Sequence, residues 1–379
     1  MSRKAHIGIA FLGGGSGGHV YPSLAVADAI AGLVPDARAV FLTGDRPADE
    51  QALARELVFN EPAHRIALHA RPPSVRPIAM LRCVRAWGQA VRDAREALRK
   101  LRDSSERVVA MSTGGYVSAP AAMAARAEHV PLVLVSLDAR IGKANRFVGR
   151  LAAHTLVGQD HAPSGWRAIG TIIGSRAISP GPKPDCRRML GLDAGRSTLL
   201  VMGGSQGATS INALVQLLCK KEAASMRAWQ AIHLAGSQSA ASELQAAYDD
   251  ADVTARVLER LSPMGPAWGA ADLALCRGGA GSVAEAHANA VPAVFLPYPY
   301  HRDRHQAANA QPLVDAGGAV VLADRILPEA NLDAVAPTLL DLMASADKRQ
   351  AMADALRRAP RRDGAAECAR VLVDAAVRC

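Results

Sequence analysis

A glycine loop that ends in a histidine is the first part of this sequence that could do chemistry. Residues 13–19 read GGGSGGH, after an apolar run and before a helical stretch. Glycines let the backbone approach an anionic ligand closely, and the start of the next helix offers free N–H groups. His19, at the helix start, can accept a proton near neutral pH. The loop also contains GxGxxG, a weak dinucleotide-binding signal by itself, and a plain tight turn has the same composition.

Two further stretches in the second half combine glycine turns with polar side chains. Residues 203–208 read GGSQGA, where Ser205 could cap a helix or donate to a phosphate oxygen. Farther on, CRGGAGSVAE brings Ser282 and Glu285 to a helix start, where they could form a capping box or Glu285 could accept hydrogen bonds from ribose hydroxyls. The polar run HRDRHQAAN at 301–309 follows the next apolar run, although a solvated helix face would look similar.

The elements that position these loops are predicted to be buried parallel strands alternating with helices. Short apolar runs such as AVFL, VVAM, LVLV, LALC and AVFLP are separated by helical stretches, and the strand, glycine turn and helix pattern restarts about 190 residues after its first occurrence. We therefore predict an α/β fold with two Rossmann-like domains, 1–165 and 166–345, whose glycine loops face a shared cleft. A helical segment, 346–379, is expected to pack back on the first domain.

Composition excludes several classes of protein. Half of the residues are hydrophobic and 21% are charged, which is ordinary for a globular α/β enzyme. The six cysteines form no CxxC pair, which argues against a zinc site or a disulfide framework and favours a reducing cytosol. The N-terminal apolar run breaks into glycines instead of reaching a cleavage site, and no run of about 20 apolar residues predicts a transmembrane helix.

Positive charge is concentrated in residues 71–102. This segment carries nine Lys and Arg against two acids, within a chain of net charge +9. Apolar residues such as Ile78, Leu81 and Trp87 are interleaved with the charges, a mixture that suits an anionic membrane surface. The alternative is a solvated helix whose apolar stripe packs on its own domain, since Trp87, Val91 and Leu98 recur at core-like spacing.

Taken together, the motifs resemble the MurG family. The matching segments are GGGSGGHVYPSLAVADAI, TGGYVSAPAAMAA, GGSQGATSIN and the long stretch that begins ADLALCRGGAGSVAE. The resemblance implies the GT-B architecture and the inverting transfer of N-acetylglucosamine (GlcNAc) from UDP-GlcNAc to the C4 hydroxyl of the N-acetylmuramic acid (MurNAc) of lipid I, which gives lipid II. It also implies an enzyme on the cytoplasmic face of the cell membrane that needs no cofactor.

Site residues follow from the same resemblance. It implies that substrate is contacted by Ser16, Gly17, Gly18, Asp138, Ser205, Leu261, Ala280, Gly281, Ser282, Val283, Ala284, Glu285, His305 and Gln306. Ser205 corresponds to the pyrophosphate contact, Leu261 to a backbone contact with uracil, and Glu285 to the ribose contact. His305 and Gln306 correspond to contacts with the GlcNAc hydroxyls. His19 is our candidate general base, and without an Asp-x-Asp motif we expect loop N–H groups to meet the diphosphate charge without a metal.

The sequence departs from the family pattern in two places, and three other functions stay open. Asp138 lies in VSLD where the family has an asparagine that contacts the sugar, and GTIIG at 170–174 lacks the family's arginine unless Arg176 replaces it. Another UDP-sugar transferase acting on a glycolipid would share the nucleotide residues. A UDP-GlcNAc 2-epimerase would need more carboxylates than Asp138 and Glu285. A dinucleotide-binding protein could use Asp45, but the later glycine loops would be unexplained.

Overall fold

The protein consists of two α/β units, each built on a parallel sheet. The computed structural model describes residues 5–14, 17–54, 56–70, 77–159, 161–204 and 207–378. The first unit comprises Met1–Gly174 together with Arg362–Cys379, and the second comprises Ser175–Arg361. The predicted parallel α/β fold class is therefore confirmed. The predicted segment 346–379 is divided between the units, because only its last part, from Arg362, belongs to the first.

A parallel sheet of seven strands, counted over the described residues, forms the centre of the first unit. The strand order is β5-β2-β1-β6-β7-β8-β9. The strands are β1 (Ala5–Gly13), β2 (Arg38–Thr43), β5 (Arg65–Ala67), β6 (Ser105–Gly114), β7 (Leu132–Ser136), β8 (His154–Val157) and β9 (Arg167–Ala168), with a separate hairpin of β3 (Leu57–Val58) and β4 (Glu61–Pro62). Strands β1, β6 and β7 are neighbours, so the segments that follow them meet at one edge.

Strand β1 is apolar on both faces because helices cover both sides of the sheet. Ile9 and Phe11 enter one hydrophobic cluster, whereas Ala10 and Leu12 enter the cluster on the other side. Successive side chains of a strand point to opposite faces, so a strand covered on both sides reads as a continuous apolar run. The covering helices of this unit are α1 (Gly17–Ala31), α2 (Pro47–Leu53), α3 (Pro77–Asp103), α4 (Ser118–Ala127), α5 (Lys143–Gly149) and α15 (Gly364–Val377).

The last helix, α15, completes the core of the first unit. Asp363 caps its N-terminus by accepting a hydrogen bond from the backbone N–H of Ala366. Its apolar face, which includes Cys368 and Leu372, packs in the same cluster as Ile30 of α1. Without α15, the apolar residues of this cluster would be exposed to water. Packing of α15 therefore stabilises the first unit, because burial of apolar surface is the main favourable contribution to folding.

Helix α3 changes from an exposed helix to a core helix along its length. Ala94 and Leu98 are fully buried against the sheet, whereas Met80 and Val84 are exposed. The alternative of a helix that packs on its own domain therefore holds for the C-terminal part of α3, whereas the part that carries Met80 and Val84 is exposed. No helix within the described residues is long and apolar enough to cross a lipid bilayer.

The second unit repeats the same design around six strands, counted over its described residues. Their order is β12-β11-β10-β13-β14-β15. The strands are β10 (Thr198–Met202), β11 (Gln230–Leu234), β12 (Ala255–Leu258), β13 (Leu273–Cys276), β14 (Ala293–Phe295) and β15 (Ala319–Val321). The helices are α6 (Lys183–Met189), α7 (Thr209–Lys221), α8 (Ala223–Arg227), α9 (Gln238–Asp250), α10 (Gly265–Ala270), α11 (Ala280–Ala288), α12 (His305–Asp315), α13 (Pro328–Ala344) and α14 (Ala346–Arg358), with a 3-10 turn at Ser175–Ala177.

Candidate functional site

The glycine loop of the first unit connects β1 directly to α1. Helix α1 begins at Gly17, so Gly17, Gly18 and His19 form its first turn, while Ser16 lies outside the described residues. Gly115, with φ of +89°, has no room for a side chain because a Cβ atom there would collide with the carbonyl oxygen of Gly14. The loops after β1 and β6 therefore touch backbone to backbone, as only glycine permits.

His19 is held in one orientation by β6. Its Nδ1 lies 3.2 Å from the carbonyl oxygen of Thr113, and a carbonyl only accepts, so Nδ1 carries the proton and Nε2 is left as a proton acceptor. The hydroxyls of Thr113 and Ser23 both donate to the carbonyl oxygen of His19, which fixes the backbone at the same point. The imidazole therefore presents the nitrogen that a general base uses.

The protonation state of His19 is set by burial and by nearby carboxylates. Burial lowers the pKa of His19 below its usual 6.5, because an imidazolium ion is poorly solvated there. The negative charge of Asp138, which follows β7, raises the pKa, and the Thr113 carbonyl and Asp49 raise it further. His19 is thus neutral at physiological pH, and Asp138 favours the cation that forms when it takes a proton.

In the second unit, the glycine turn after β10 is fastened to the end of β11. Gly207 has φ of +72°, and a Cβ atom there would lie 2.6 Å from the carbonyl oxygen of Ala235. The same carbonyl accepts a hydrogen bond of 3.1 Å from Nδ2 of Asn212, whose Oδ1 lies 3.2 Å from Nε2 of His233. Ser205 lies outside the described residues. The turn therefore packs against a buried hydrogen-bonded network of Asn212 and His233, which the sequence alone did not predict.

The loop after β13 leads into helix α11, which carries most of the predicted nucleotide residues. Gly279 is the N-cap, so Ser282 is the third residue of the helix and cannot be the cap. The capping-box alternative for Ser282 and Glu285 is therefore wrong. The side chains of Val283 and Ala284 are buried in the core of the unit, so any ligand contact from these two residues is made by the backbone. The unbonded N–H groups of a helix's first turn are the donors that anions bind.

Glu285 is the chemically unusual side chain of this helix. It is half-buried, and its Oε2 accepts a hydrogen bond of 2.6 Å from Nε1 of Trp268 in α10. Desolvation raises the pKa of Glu285 to about 7, and the hydrogen bond from Trp268 opposes that shift. The effect of desolvation on the Glu285 carboxyl group is thus larger than the effect of its hydrogen bond from Trp268.

The start of helix α12 lies against the same loop. Gln306 uses its Oε1 to accept a hydrogen bond of 2.8 Å from the backbone N–H of Tyr298, which directs its NH₂ group elsewhere. A side chain at Gly278 would collide with the backbone carbonyl of Gln306. His305 has its Nδ1 2.8 Å from Oδ1 of Asp303, so its Nε2 faces away from that partner. The structure thereby brings Gln306 beside the loop between β13 and α11, a proximity that the sequence order alone does not show.

A buried ion pair fastens this edge of the sheet and was not anticipated. Arg277, the residue after β13, donates to Oδ2 of Asp324 at 2.5 Å and to Oγ of Ser210 at 2.9 Å. It also donates to the carbonyl oxygen of Leu296 at 2.8 Å, and its guanidinium lies over the ring of Tyr298. The segments after β13, β14 and β15 and the start of α7 are therefore tied together. An arginine directly before a glycine loop was the available signal.

The predicted residues separate into two groups, one in each unit. The first unit holds Gly17, Gly18, His19 and Asp138, and the second holds the residues of 280–285 with Leu261, His305 and Gln306. Leu261 follows β12 and packs, half-buried, against a hydrophobic cluster of the second unit. Within the described residues, no three His, Cys, Asp or Glu side chains are grouped so that they could hold a metal ion.

Comparisons with known proteins assign the chain to a family. The glycosyltransferase family 28 N-terminal domain matches residues 9–157, and the C-terminal domain of the same family matches residues 198–368. A UDP-N-acetylglucosamine--N-acetylmuramyl-(pentapeptide) pyrophosphoryl-undecaprenol N-acetylglucosamine transferase of Salinibacter ruber is 33% identical over 97% of this chain and 96% of that protein. The protein of the same name from Paenarthrobacter aurescens is 36% identical over 88% of each chain.

A solved structure gives the same result in three dimensions. The crystal structure of Acinetobacter baumannii MurG is 25% identical, superposes with a TM-score of 0.66, and covers 98% of this chain and 99% of its own. Two parallel α/β units are the architecture of the GT-B glycosyltransferases. With both family 28 domains matched in order and relatives a third identical over nearly the whole length, this chain belongs to the MurG family of glycosyltransferases.

Proposed function

We propose that this chain transfers GlcNAc from UDP-GlcNAc to the C4 hydroxyl of the MurNAc residue of lipid I and so forms lipid II. The names of the full-length relatives support the donor and the acceptor. The observation that carries the chemistry is His19, neutral and oriented with Nε2 available. The other UDP-sugar activities that the sequence left open are not favoured, because these relatives share one named activity.

In the proposed reaction, His19 acts as the general base. The acceptor C4 hydroxyl attacks the anomeric carbon of GlcNAc from the face opposite UDP, the bond from that carbon to the diphosphate oxygen breaks, and configuration inverts. Nε2 of His19 takes the hydroxyl proton as the new bond forms. The charge of Asp138 then stabilises the imidazolium ion, since it raises the pKa of His19. The departure from the family's asparagine would thus strengthen the base.

Donor binding is proposed to use the second unit. The N–H groups at the starts of α7 and α11 would meet the diphosphate and keep UDP a good leaving group. Glu285 would accept hydrogen bonds from the two ribose hydroxyls, and a backbone group of Leu261 would contact uracil. Gln306, with its NH₂ directed away from Tyr298, and His305 would contact the GlcNAc hydroxyls.

We further propose that the first unit attaches to the cytoplasmic face of the membrane, where a polyprenyl-linked acceptor resides. An apolar groove of about 540 Å³ is lined by Met80, Cys83, Val84, Trp87, Gly88, Val91 and Met123. Met80, Val84 and Met123 are exposed, and Arg82 and Arg85 are exposed on the same turns of α3. Apolar side chains beside basic ones suit the interface of an anionic bilayer.

The transferase proposal is tested with radiolabelled UDP-GlcNAc and lipid I. Lipid II should become labelled with wild-type protein, and replacing UDP-GlcNAc by UDP-glucose or UDP-galactose should abolish the product. A labelled lipid product formed only from another UDP-sugar would assign a different transferase activity. UDP-N-acetylmannosamine, or free N-acetylmannosamine with UDP, formed without any acceptor would instead assign an epimerase.

The membrane proposal is tested by sedimentation with vesicles that contain phosphatidylglycerol. The double variant Arg82→Glu/Arg85→Glu should lose vesicle binding, and wild-type binding should fall as salt is added. Arg358→Glu/Arg361→Glu makes the same charge change at exposed positions of the second unit and serves as the control. Equal binding by both double variants would refute this placement of the membrane face.

A further inference from the structure

The contact between Trp268 and Glu285 connects the proposed ribose site to the core of the second unit. Nε1 of Trp268 donates to Oε2 of Glu285 over 2.6 Å, a length typical of a strong hydrogen bond to a charged acceptor. An indole N–H can only donate, so this bond requires a lone pair of the carboxyl group. The indole thus occupies one oxygen and fixes the plane in which the other oxygen lies.

Trp268 is well placed to hold the carboxylate still. It is 1% exposed and packs in the hydrophobic cluster that also contains Cys186 of α6 and Leu200 of β10. The following residue, Gly269, lies so close to α6 that a Cβ atom there would lie 2.5 Å from Sγ of Cys186. Helix α10 therefore has little freedom to move, and neither has the indole N–H that it carries.

Within the described part of the chain, the hydrogen bond from Trp268 is the interaction that favours the charged form of Glu285. Burial raises the pKa of Glu285 to about 7, and the hydrogen bond from Trp268 is the contribution that lowers it. A carboxylate that accepts from two vicinal hydroxyls must be ionised and correctly turned at the moment of binding. Pre-orientation by a rigid donor reduces the entropy that binding would otherwise cost.

We propose that Trp268 is a positioning residue for the nucleotide site: its indole N–H holds the Glu285 carboxylate oriented toward the ribose diol of a uridine diphosphate. This inference rests on the proposed function, because that function places a ribose beside Glu285. Trp268 itself touches no substrate in this arrangement and acts only through Glu285. Its contribution should therefore disappear when either the carboxylate or the diol is removed.

The test is a double-mutant cycle on UDP affinity, measured by titration calorimetry at pH 7.5 with the full chain. Trp268→Phe should weaken UDP binding about tenfold, the scale of a lost hydrogen bond to a charged group. In the Glu285→Gln background the same substitution should have no further effect. Against 2′,3′-dideoxy-UDP, wild type and Trp268→Phe should bind equally. In steady-state assays Trp268→Phe should raise the KM for UDP-GlcNAc and leave kcat unchanged.

A matched control separates positioning from loss of core packing. Trp229→Phe makes the same change at a tryptophan that is 5% exposed in the same unit and lies under the guanidinium of Arg349. It should lower the melting temperature as Trp268→Phe does and leave UDP affinity unchanged. If Trp268→Phe does not fold, site-specific 3-benzothienylalanine at 268 keeps the shape, replaces the N–H by sulfur and should give the same tenfold loss.

The outcomes distinguish failure of this inference from failure of the proposed function. Additive losses in the cycle, or equal losses for UDP and its dideoxy analogue, would overturn the role of Trp268 while UDP binding by wild type upholds the nucleotide site. Wild-type protein that binds UDP no better than inorganic pyrophosphate would overturn both. The inference is supported if Trp268→Phe changes neither UDP affinity in the Glu285→Gln background nor the affinity for 2′,3′-dideoxy-UDP.

Discussion

Replacing His19 by alanine should lower kcat by at least about 10²-fold, the usual scale for removing a general base, or about 2.7 kcal/mol in the activation barrier. The KM for UDP-GlcNAc should stay nearly unchanged, because His19 is not among the proposed contacts with the donor. A loss in kcat alone is the signature of an interaction made in the transition state.

The structural cost of His19→Ala is small enough for the assay to be informative. The substitution removes the side-chain hydrogen bond to the Thr113 carbonyl, which is worth about 1 kcal/mol. It keeps the backbone carbonyl of residue 19, to which Ser23 and Thr113 donate. The folded state should therefore persist with a melting temperature lowered by a few degrees.

The assay is the initial rate of labelled lipid II formation at saturating UDP-GlcNAc. His6→Ala is the control, because it removes an exposed histidine of the same unit that is paired with Glu106, and it should keep full turnover. The wild-type rate should be flat at neutral pH and fall in acid as His19 becomes protonated, below its usual pKa of 6.5. Full turnover by His19→Ala at matched folded fraction would refute the general-base role.

Four further predictions follow from the surroundings of Glu285, Asp138 and Arg277. Glu285→Gln should weaken UDP binding with little change in melting temperature; unchanged affinity in calorimetry would remove Glu285 from the ribose site. In wild type, UDP affinity should rise as pH increases through about 7, where the Glu285 carboxyl group ionises. The free energy of unfolding should decline between pH 4.5 and 7, because the folded state binds the proton of Glu285 more tightly than the unfolded state does. Glu285→Gln should flatten both profiles. Asp138→Asn removes a charge that raises the pKa of His19, so the acid limb of the kcat profile should move to lower pH, and an unmoved limb would exclude this coupling. Arg277→Met should cost about 3–5 kcal/mol of unfolding free energy in denaturant titrations, because it leaves the buried Asp324 carboxylate without its cation; Arg196→Met at the surface should cost far less.

Much of the architecture is determined by local sequence. The apolar runs at 39–42, 108–111, 132–135, 273–276 and 293–297 all coincide with strands of the two parallel sheets. They are readable because a strand covered on both faces must be apolar throughout, and because glycine turns at strand ends mark where a helix begins. The order of the motifs was likewise enough to indicate the family.

Properties that depend on distant neighbours were decided by the tertiary structure. The tautomer of His19 is set by a carbonyl 94 residues away, and the ionisation of Glu285 by burial and by an indole 17 residues away. A sequence motif does not encode desolvation, since the same glutamate at the same helical position would titrate normally if exposed. The spacing of Ser282 and Glu285 suggested a capping box, yet the helix begins at Ala280 because Gly279 provides the extended residue before it.

The division of α3 and the place of α15 show the same limit at the level of packing. Spacing alone made Trp87, Val91 and Leu98 equivalent, but the sheet covers Leu98 completely and leaves Trp87 and Val91 only partly buried beside the apolar groove. The sequence of α15 predicts an amphipathic helix, but it does not indicate which surface of the protein the apolar side of that helix covers. Local sequence therefore determined which segments are strands, helices and glycine turns, whereas burial, which is a sum over neighbours distant in the chain, decided the protonation states and the faces that stay exposed.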